Sequence, residues 1–278
     1  MELERGHMRI VNLIEDTCGI EGLRHEHGLS FYIETEKHKI LLDTGMTGAF
    51  IENAKELGID LTQVDIVVLS HGHYDHAGGI LDFVKINPEA KIYMQKTAGG
   101  DYYNLRDDLE KYIGIDKAIL ELPQVVFLDG DCRIDEEVYV FANILGRKYW
   151  PNSNMLLKEK VNGHFIQDTF AHEQCLVVIE NSESVLLSGC AHNGILNILS
   201  AYQERFKVIP DKVISGFHML KRGEYTAEEV AMIKDTAREL KKLHTEFYTG
   251  HCTGEAAFAL MRDIMGNQLT FVHSGDEI

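Results

Sequence analysis

The amino-acid sequence predicts a mixed fold of the α+β class, and three observations carry that prediction. Short apolar runs rich in β-branched and aromatic residues recur along the chain, as strands require. Between them lie stretches with apolar residues at helical spacing, at 49–57, 194–206 and 227–243. The recurring order is a strand, then a polar side chain able to bind a ligand, then a turn or a helix.

Residues 8–14 alternate weakly and read as an edge strand. Residues 29–35 and 39–43 read as paired strands joined by a turn at 34–38. The helix over 49–57 ends at Gly58. Residues 65–69 form a buried strand, 80–84 a short helix stopped near Pro88, and 91–95 the next strand. Residues 97–122 are polar and rich in tyrosine, charge and glycine, and are expected to form an irregular or partly helical excursion. Strands follow at 125–128, 138–141, 176–179 and 185–188. Short strands at 213–215 and 246–248 run at once into His218 and His251. A last helix spans 255–265, with Thr253 as its expected N-cap. Strands in runs flanked by helices suit two sheets packed together with helices outside.

A chain of 278 residues, 45% hydrophobic and with only 4 prolines, can build one substantial core, and a single domain over 9–278 is expected. Acidic residues outnumber basic ones 44 to 27, a net charge of −17 that repels phosphate backbones and disfavours general nucleic-acid binding. The five cysteines (Cys18, Cys132, Cys175, Cys190 and Cys252) are odd in number and lack a Cys-x-x-Cys pair. That usage fits a reduced, cytoplasmic setting. No apolar run approaches the roughly 18 residues of a membrane span. Residues 1–8 are polar and do not read as a signal peptide. Gly6-His7-Met8 leaves open that residues 1–8 are an expression remnant, and His7 is excluded from the site.

Residues 66–79 read Ile-Val-Val-Leu-Ser-His-Gly-His-Tyr-Asp-His-Ala-Gly-Gly. His71, His73, Asp75 and His76 arrive within six residues of a strand's end. Neutral imidazole and carboxylate are ligands that a borderline cation such as Zn²⁺ accepts. Residues two apart in extended chain share a face, so His71 and His73 can hold one metal. Asp75 and His76 lie further on and can face a second. Gly72, Gly78 and Gly79 are expected to let the backbone turn tightly around the cluster. Burying three imidazoles and a carboxylate side by side without a metal would be costly.

This His-x-His-x-Asp-His pattern after a hydrophobic strand resembles the metallo-β-lactamase superfamily. Upstream, Lys39-Ile-Leu-Leu-Asp-Thr-Gly45 resembles the family's strand ending in Asp-x-Gly, which makes Asp43 the carboxylate that orients a ligand. Downstream lie His172-Glu-Gln, Leu186-Leu-Ser-Gly-Cys-Ala-His192, Ser215-Gly-Phe-His218 and Thr249-Gly-His-Cys-Thr-Gly254. With Glu26-His-Gly-Leu-Ser30 and Cys190-Ala-His-Asn-Gly-Ile195, these resemble the dihydropterin–aminobenzene phosphate synthase-like subgroup. The resemblance runs from about residue 9 to about residue 273. It implies an αββα sandwich and two divalent metal ions, Zn²⁺ suiting best, with Mn²⁺ or Fe²⁺ as alternatives.

The resemblance also distributes roles. His71 and His73 share the first metal with His172, for which His164 is the weaker competitor. Asp75, His76 and His251 hold the second. The bridging position, an aspartate in most members, falls at Cys190, and the residues leave open whether Cys190 or His192 takes it. Asp75 would aim the attacking water, and His218 or His192 would stabilise the developing anion or protonate the leaving group. Glu26 and His27 shape the rim. Lys221 and Arg222 either hold an anionic group or are simply solvated, and Arg147, Lys148, Tyr149 and Trp150 form either a lid or ordinary packing. The expected activity is hydrolysis of an ester, amide or phosphoester in a small, anionic molecule. One alternative is a transferase joining a dihydropterin methyl diphosphate to a ribofuranosyl-aminobenzene phosphate; another is a non-catalytic metal-binding protein.

Overall fold

The structure, a computed structural model, describes residues 8–106 and 109–278. The expectation for residues 1–8 lies outside the described residues, apart from Met8.

Among the described residues the strands form three sheets. The first takes β1 (Arg9–Ile14), β2 (Ser30–Glu34), β3 (Lys39–Leu42), β4 (Ile66–Val68), β5 (Lys91–Gln95) and β8 (Val125–Leu128) in the order β1-β2-β3-β4-β5-β8. It is antiparallel from β1 to β3 and parallel from β3 to β8. The second takes β9 (Cys132–Arg133), β10 (Val138–Phe141), β13 (Cys175–Glu180), β14 (Glu183–Leu187), β15 (Lys212–Ile214), β16 (Glu246–Thr249) and β17 (Leu269–Phe271). Its β14–β17 run is parallel.

The apolar runs are nearly continuous because both faces of each sheet are covered. Alternation sends Ile40, Leu42, Ile66 and Val68 inward against Val140, Leu176, Val185, Leu187 and Ile214 of the other sheet. The intervening Leu41 and Val67 point outward, where α1 (Ala49–Glu56), α2 (Tyr74–Ala77) and α3 (Ile80–Ile86) cover them with Phe50, Ile80 and Phe83. On the far side, α4 (Ile195–Phe206), α5 (Ala227–Leu240) and α6 (Glu255–Met265) pack Ile198, Tyr202, Ile233, Ala237 and Met261 onto Val177, Leu186 and Val213. This is the expected αββα sandwich. No helix among the described residues is long and apolar enough to cross a membrane.

Two expectations are corrected. Residues 97–122 are not an irregular excursion: β6 (Tyr102–Arg106) and β7 (Leu109–Tyr112) join β11 (Leu157–Val161) and β12 (His164–Gln167) in a third sheet, ordered β12-β11-β6-β7. β7 is exposed throughout, so it lacks the apolar period of a covered strand, and β6 is completed only by long-range pairing of Asn104 with Leu157. Thr253 does not cap α6, whose N-cap is Gly254. Its hydroxyl instead accepts the Phe217 N–H (2.8 Å) and meets the Thr249 hydroxyl (2.6 Å).

Because β1, β3, β4, β14, β15 and β16 run in register toward common edges, their carboxyl ends deliver Asp43, the 70–76 loop, Cys190, His192, His218 and His251 to one crevice. Crevices beyond strand carboxyl ends are where open α/β sheets place their ligands.

Candidate metal centre

Past β4 the chain turns sharply, with the His73 N–H donating to the His71 carbonyl (3.0 Å), and α2 then carries Asp75 and His76. Gly78 at this turn has an ordinary helical φ of −63°. A Cβ there would stand 2.0 Å from the Met46 carbonyl oxygen, so the glycine serves close approach rather than a special turn. Asp43 lies as expected behind the cluster. It accepts from the Ser70 N–H (2.7 Å), the Ser70 hydroxyl (2.6 Å) and His76 Nδ1 (2.6 Å). The Ser70 oxygen in turn accepts from His71 Nδ1 (2.9 Å). Both imidazoles are thereby held with Nε2 as the free lone pair.

His192 brings its Nε2 to 3.3 Å from His71 Nε2. The donor atoms of His71, His73 and His192 all lie within 4.8 Å of one another. His192 Nδ1 sits 3.1 Å from the Asn154 side-chain oxygen, and its ring stacks on Phe170 at 4.4 Å. His73 Nε2 is buried without a hydrogen-bond partner among the described residues. His172, expected as the third member, is turned to other work. Its Nδ1 accepts the Gly72 N–H (3.0 Å) and its Nε2 faces Asp168 (3.1 Å), so both ring nitrogens are taken. The adjoining Glu173 accepts the backbone N–H groups of His192 (2.6 Å) and Asn193 (2.8 Å), which makes the 172–174 segment a buttress for the His192 loop. His164 lies exposed on β12, away from the cluster.

Asp75 Oδ2 stands 3.7 Å from His76 Nε2 and 3.6 Å from His251 Nε2. His251 Nδ1 is held by Asp16 (2.6 Å), and its N–H donates to Glu15. Cys190 Sγ lies 3.2 Å from His76 Nε2. It groups with His71 and His76 on one side and with His251 and Cys252 on the other, each set within 4.8 Å. Cys190 therefore stands between the two clusters, while His192 belongs to the first. His218 leans over the edge, its ring 4.1 Å from that of His192. Neither of its nitrogens has a hydrogen-bond partner among the described residues, and its φ is +51°. Left-handed backbone at a non-glycine residue costs of order 1–3 kcal/mol and clusters at functional sites; Asp43, Ala191 and His251 share it.

The donor set of imidazole, carboxylate and thiol, with Nε2 of His73 and His251 buried and unpartnered, fits a pair of divalent cations. The sequence comparison identifies the family. The model of the metallo-beta-lactamase superfamily matches residues 23–234. The chain belongs to the metallo-beta-lactamase superfamily. It is 27% identical to the 7,8-dihydropterin-6-methyl-4-(beta-D-ribofuranosyl)-aminobenzene-5'-phosphate synthase of Methanocaldococcus jannaschii, over 97% of this chain and 95% of that one. Among solved structures, Tm1679, a metal-dependent hydrolase of the beta-lactamase superfamily, is 30% identical and superposes with a TM-score of 0.81 over 98% of each chain. Zn²⁺-bound PqqB of Methylobacterium extorquens, at 11% identity and a TM-score of 0.56 over 97% of this chain and 99% of that one, shares the fold.

Within this metallo-beta-lactamase fold the two clusters differ electrically. Burial, then the neighbouring imidazoles of His76 and His73, push His71 well below its ordinary pKa. Burial and His218 do the same to His192, and burial and His172 take His73 down to about 3. In the second cluster burial opposes the charged forms, but the carboxylates win. Asp16 and Asp75 hold His251 well above its ordinary value, and Asp75 itself is held well below the usual carboxylate range by His76 and His251. Burial and Cys252 raise the Cys190 thiol.

A cavity of about 510 Å³ opens over both clusters, with Arg106, Lys111 and Arg222 at its mouth. It adjoins a second cavity of about 520 Å³ lined by Leu105, Leu156, Met219, Tyr225, Met232 and Ile233. Ser153, His218 and Arg222 line both. Lys221 is paired with Glu229 (2.6 Å). Within the 147–150 segment Trp150 lies 5.9 Å from Phe170 and Arg147 bonds the carbonyls of Ile144 and Gly146, while Arg147, Lys148 and Tyr149 are exposed. Glu26 binds the Met46 and Thr47 N–H groups and so fixes a loop. Sequence reasoning missed Asp16, Ser70, Asn154 and Arg106. Of these only Asp16 left a signal, since it follows a strand whose end reaches the ligand edge.

Proposed function

We propose that this chain is a two-cation hydrolase of a small anionic ester, a phosphoester in preference to a carboxylic ester or amide. One observation carries the reading: two donor clusters meet at Cys190 on the floor of a cavity with a cationic mouth, in a chain of net charge −17. His71, His73 and His192 would hold one cation, Asp75, His76 and His251 the other, with Cys190 shared between them. Bound there, divalent cations lower the pKa of a water toward neutrality and polarise the oxygen under attack, and Zn²⁺ suits this nitrogen, oxygen and sulfur set best.

The chain's own residues supply the rest. The free oxygen of Asp75 accepts a hydrogen bond from the attacking water and aims it. His218, with both nitrogens unpartnered, donates a proton to the leaving oxygen. Arg106 and Arg222, which have no carboxylate partner among the described residues, bind the anionic group and its developing charge. The apolar cavity beyond His218 takes the uncharged remainder of the substrate. Five free cysteines fit a cytoplasmic setting.

A second reading rests on the archaeal synthase, similar along nearly the whole of both chains. In a transferase the same cationic floor would hold a departing diphosphate. The deciding experiment assays metal-loaded protein on phosphodiesters, lactones, thioesters and pterin diphosphates, with Asp75→Ala as control. Phosphoester hydrolysis abolished in the variant supports the hydrolase. Equal rates from parent and variant remove it. Pyrophosphate release from paired pterin and aminobenzene substrates, without simple hydrolysis, selects the transferase, and no turnover with any metal leaves a binding protein.

A further inference from the structure

We infer that His27 is a further protein ligand of the second cation, giving it three imidazoles and one carboxylate beside the shared Cys190. The inference rests on the two-cation reading above and adds a residue to it. His27 Nε2 lies 3.5 Å from Asp75 Oδ2, which places three imidazole nitrogens at nearly equal distances from one carboxylate oxygen: 3.5 Å for His27, 3.6 Å for His251 and 3.7 Å for His76. The His27 and His251 rings are 5.0 Å apart, matching the 5.1 Å between His76 and His251 and the 4.8 Å between His71 and His192.

The support behind the ring is of the same kind. Nδ1 of His71 is held by Ser70, that of His76 by Asp43, that of His192 by Asn154 and that of His251 by Asp16. His27 Nδ1 is held by the other oxygen of the same Asp16 carboxylate, at 2.9 Å. One aspartate therefore aims two imidazoles at one point, the arrangement by which metal-binding histidines are usually oriented. His172 lacks it, because a backbone N–H occupies its Nδ1.

The loop carrying His27 is stitched to the ligand helix. The Leu29 N–H donates to the Asp75 carbonyl (3.3 Å), and the Gly28 N–H reaches Asp16 (3.3 Å). A Cβ at Gly28 would stand 2.8 Å from that Asp75 oxygen, so only glycine lets the loop pass this close. The His27 side chain is 48% exposed, so it reaches the centre from the solvent side, as the outermost ligand of the set. The resulting pair would be unequal: beside the shared Cys190, the first cation would have three imidazoles, and the second three imidazoles and a carboxylate.

The test loads wild type, His27→Ala, His27→Gln and Asp16→Asn with Co²⁺ and with Zn²⁺. It measures stoichiometry, affinity by chelator competition, and the imidazole count by X-ray absorption. Near-ultraviolet circular dichroism checks the fold. Wild type is expected to bind two ions. Both His27 variants should weaken the second ion by more than the roughly 10–100-fold that loss of an outer orienting partner costs, lower the imidazole count and change the Co²⁺ visible spectrum. Asp16→Asn should weaken it within that range of about 10–100-fold. Two ions bound by His27→Ala with unchanged affinity and spectrum would overturn the assignment of His27 alone. A single ion in wild type would overturn the two-cation reading along with it.

Discussion

The two donor clusters sit back to back on one floor, yet they solve the problem of a buried cation in opposite ways. The first offers neutral imidazoles only, backed by a hydroxyl and an amide at Ser70 and Asn154. The second offers a carboxylate, backed by the further carboxylates of Asp43 and Asp16. A cation held in the first would keep more of its charge and act more strongly on whatever it touches, whereas one held in the second would be partly neutralised by Asp75 and serve better as an anchor. The difference teaches that the ligand list is only half of the electrostatics, and the groups behind the ligands set the rest.

Breaking either cluster is the largest effect expected. Asp75→Ala removes both a donor and the group that aims the water, and turnover of a phosphoester should fall by about 100- to 10,000-fold. His192→Gln should cost the first ion more than about 100-fold in affinity, while His172→Gln stays within roughly 10-fold because its nitrogens serve the fold. Isothermal titration decides this, and equal losses would return His172 to the ligand set. The metal-free protein should show opposite pH limbs. His73, taken from 6.5 to about 3, refuses protons that the unfolded chain binds, so stability falls as pH drops below about 6.5. His251, raised in the fold, contributes fully below about 6.5 and loses that contribution as pH rises through its folded value. Melting temperatures between about pH 4 and about pH 9 should therefore show a shallower acid limb in His73→Asn, where His71 and His192 still contribute, and a shallower alkaline limb in His251→Asn. Gly189→Ala puts a Cβ 2.2 Å from Ser70 Oγ and 3.1 Å from His71 Nδ1. It should destabilise by about 1–3 kcal/mol in chemical denaturation and loosen only the first ion. Arg222→Ala, which removes a cation from the cavity wall, should raise KM about 10-fold and lower kcat as well, because the developing charge loses a partner.

The strands of the mixed fold were legible because those covered on both faces, such as 40–42 and 66–68, write themselves as unbroken apolar runs, whereas their arrangement as an αββα sandwich came from the family resemblance. The third sheet was not, since an exposed strand like β7 carries no such imprint. Within the site, His71, His73, Asp75 and His76 were readable because one turn holds them all. His192 and His172 could not be ranked from spacing. What separates them is which ring nitrogen is already engaged, and the engaging groups, Gly72 and Asn154, come from distant chain. Asp16 left only the signal of its place after a strand: its meaning comes from the two histidines that close upon it, one nearby at His27 and one from distant chain at His251.

The small four-stranded sheet has a lasting consequence. It furnishes Asn104, Arg106, Leu109, Lys111 and Leu157 to the cavity wall, while the donor atoms described for the two ions come from elsewhere in the chain. Admission and reactivity are thus encoded on separable stretches of polypeptide. Replacing the cavity-wall side chains Asn104, Leu109 and Lys111 should change which molecules enter while the donor atoms of both clusters keep their own supports.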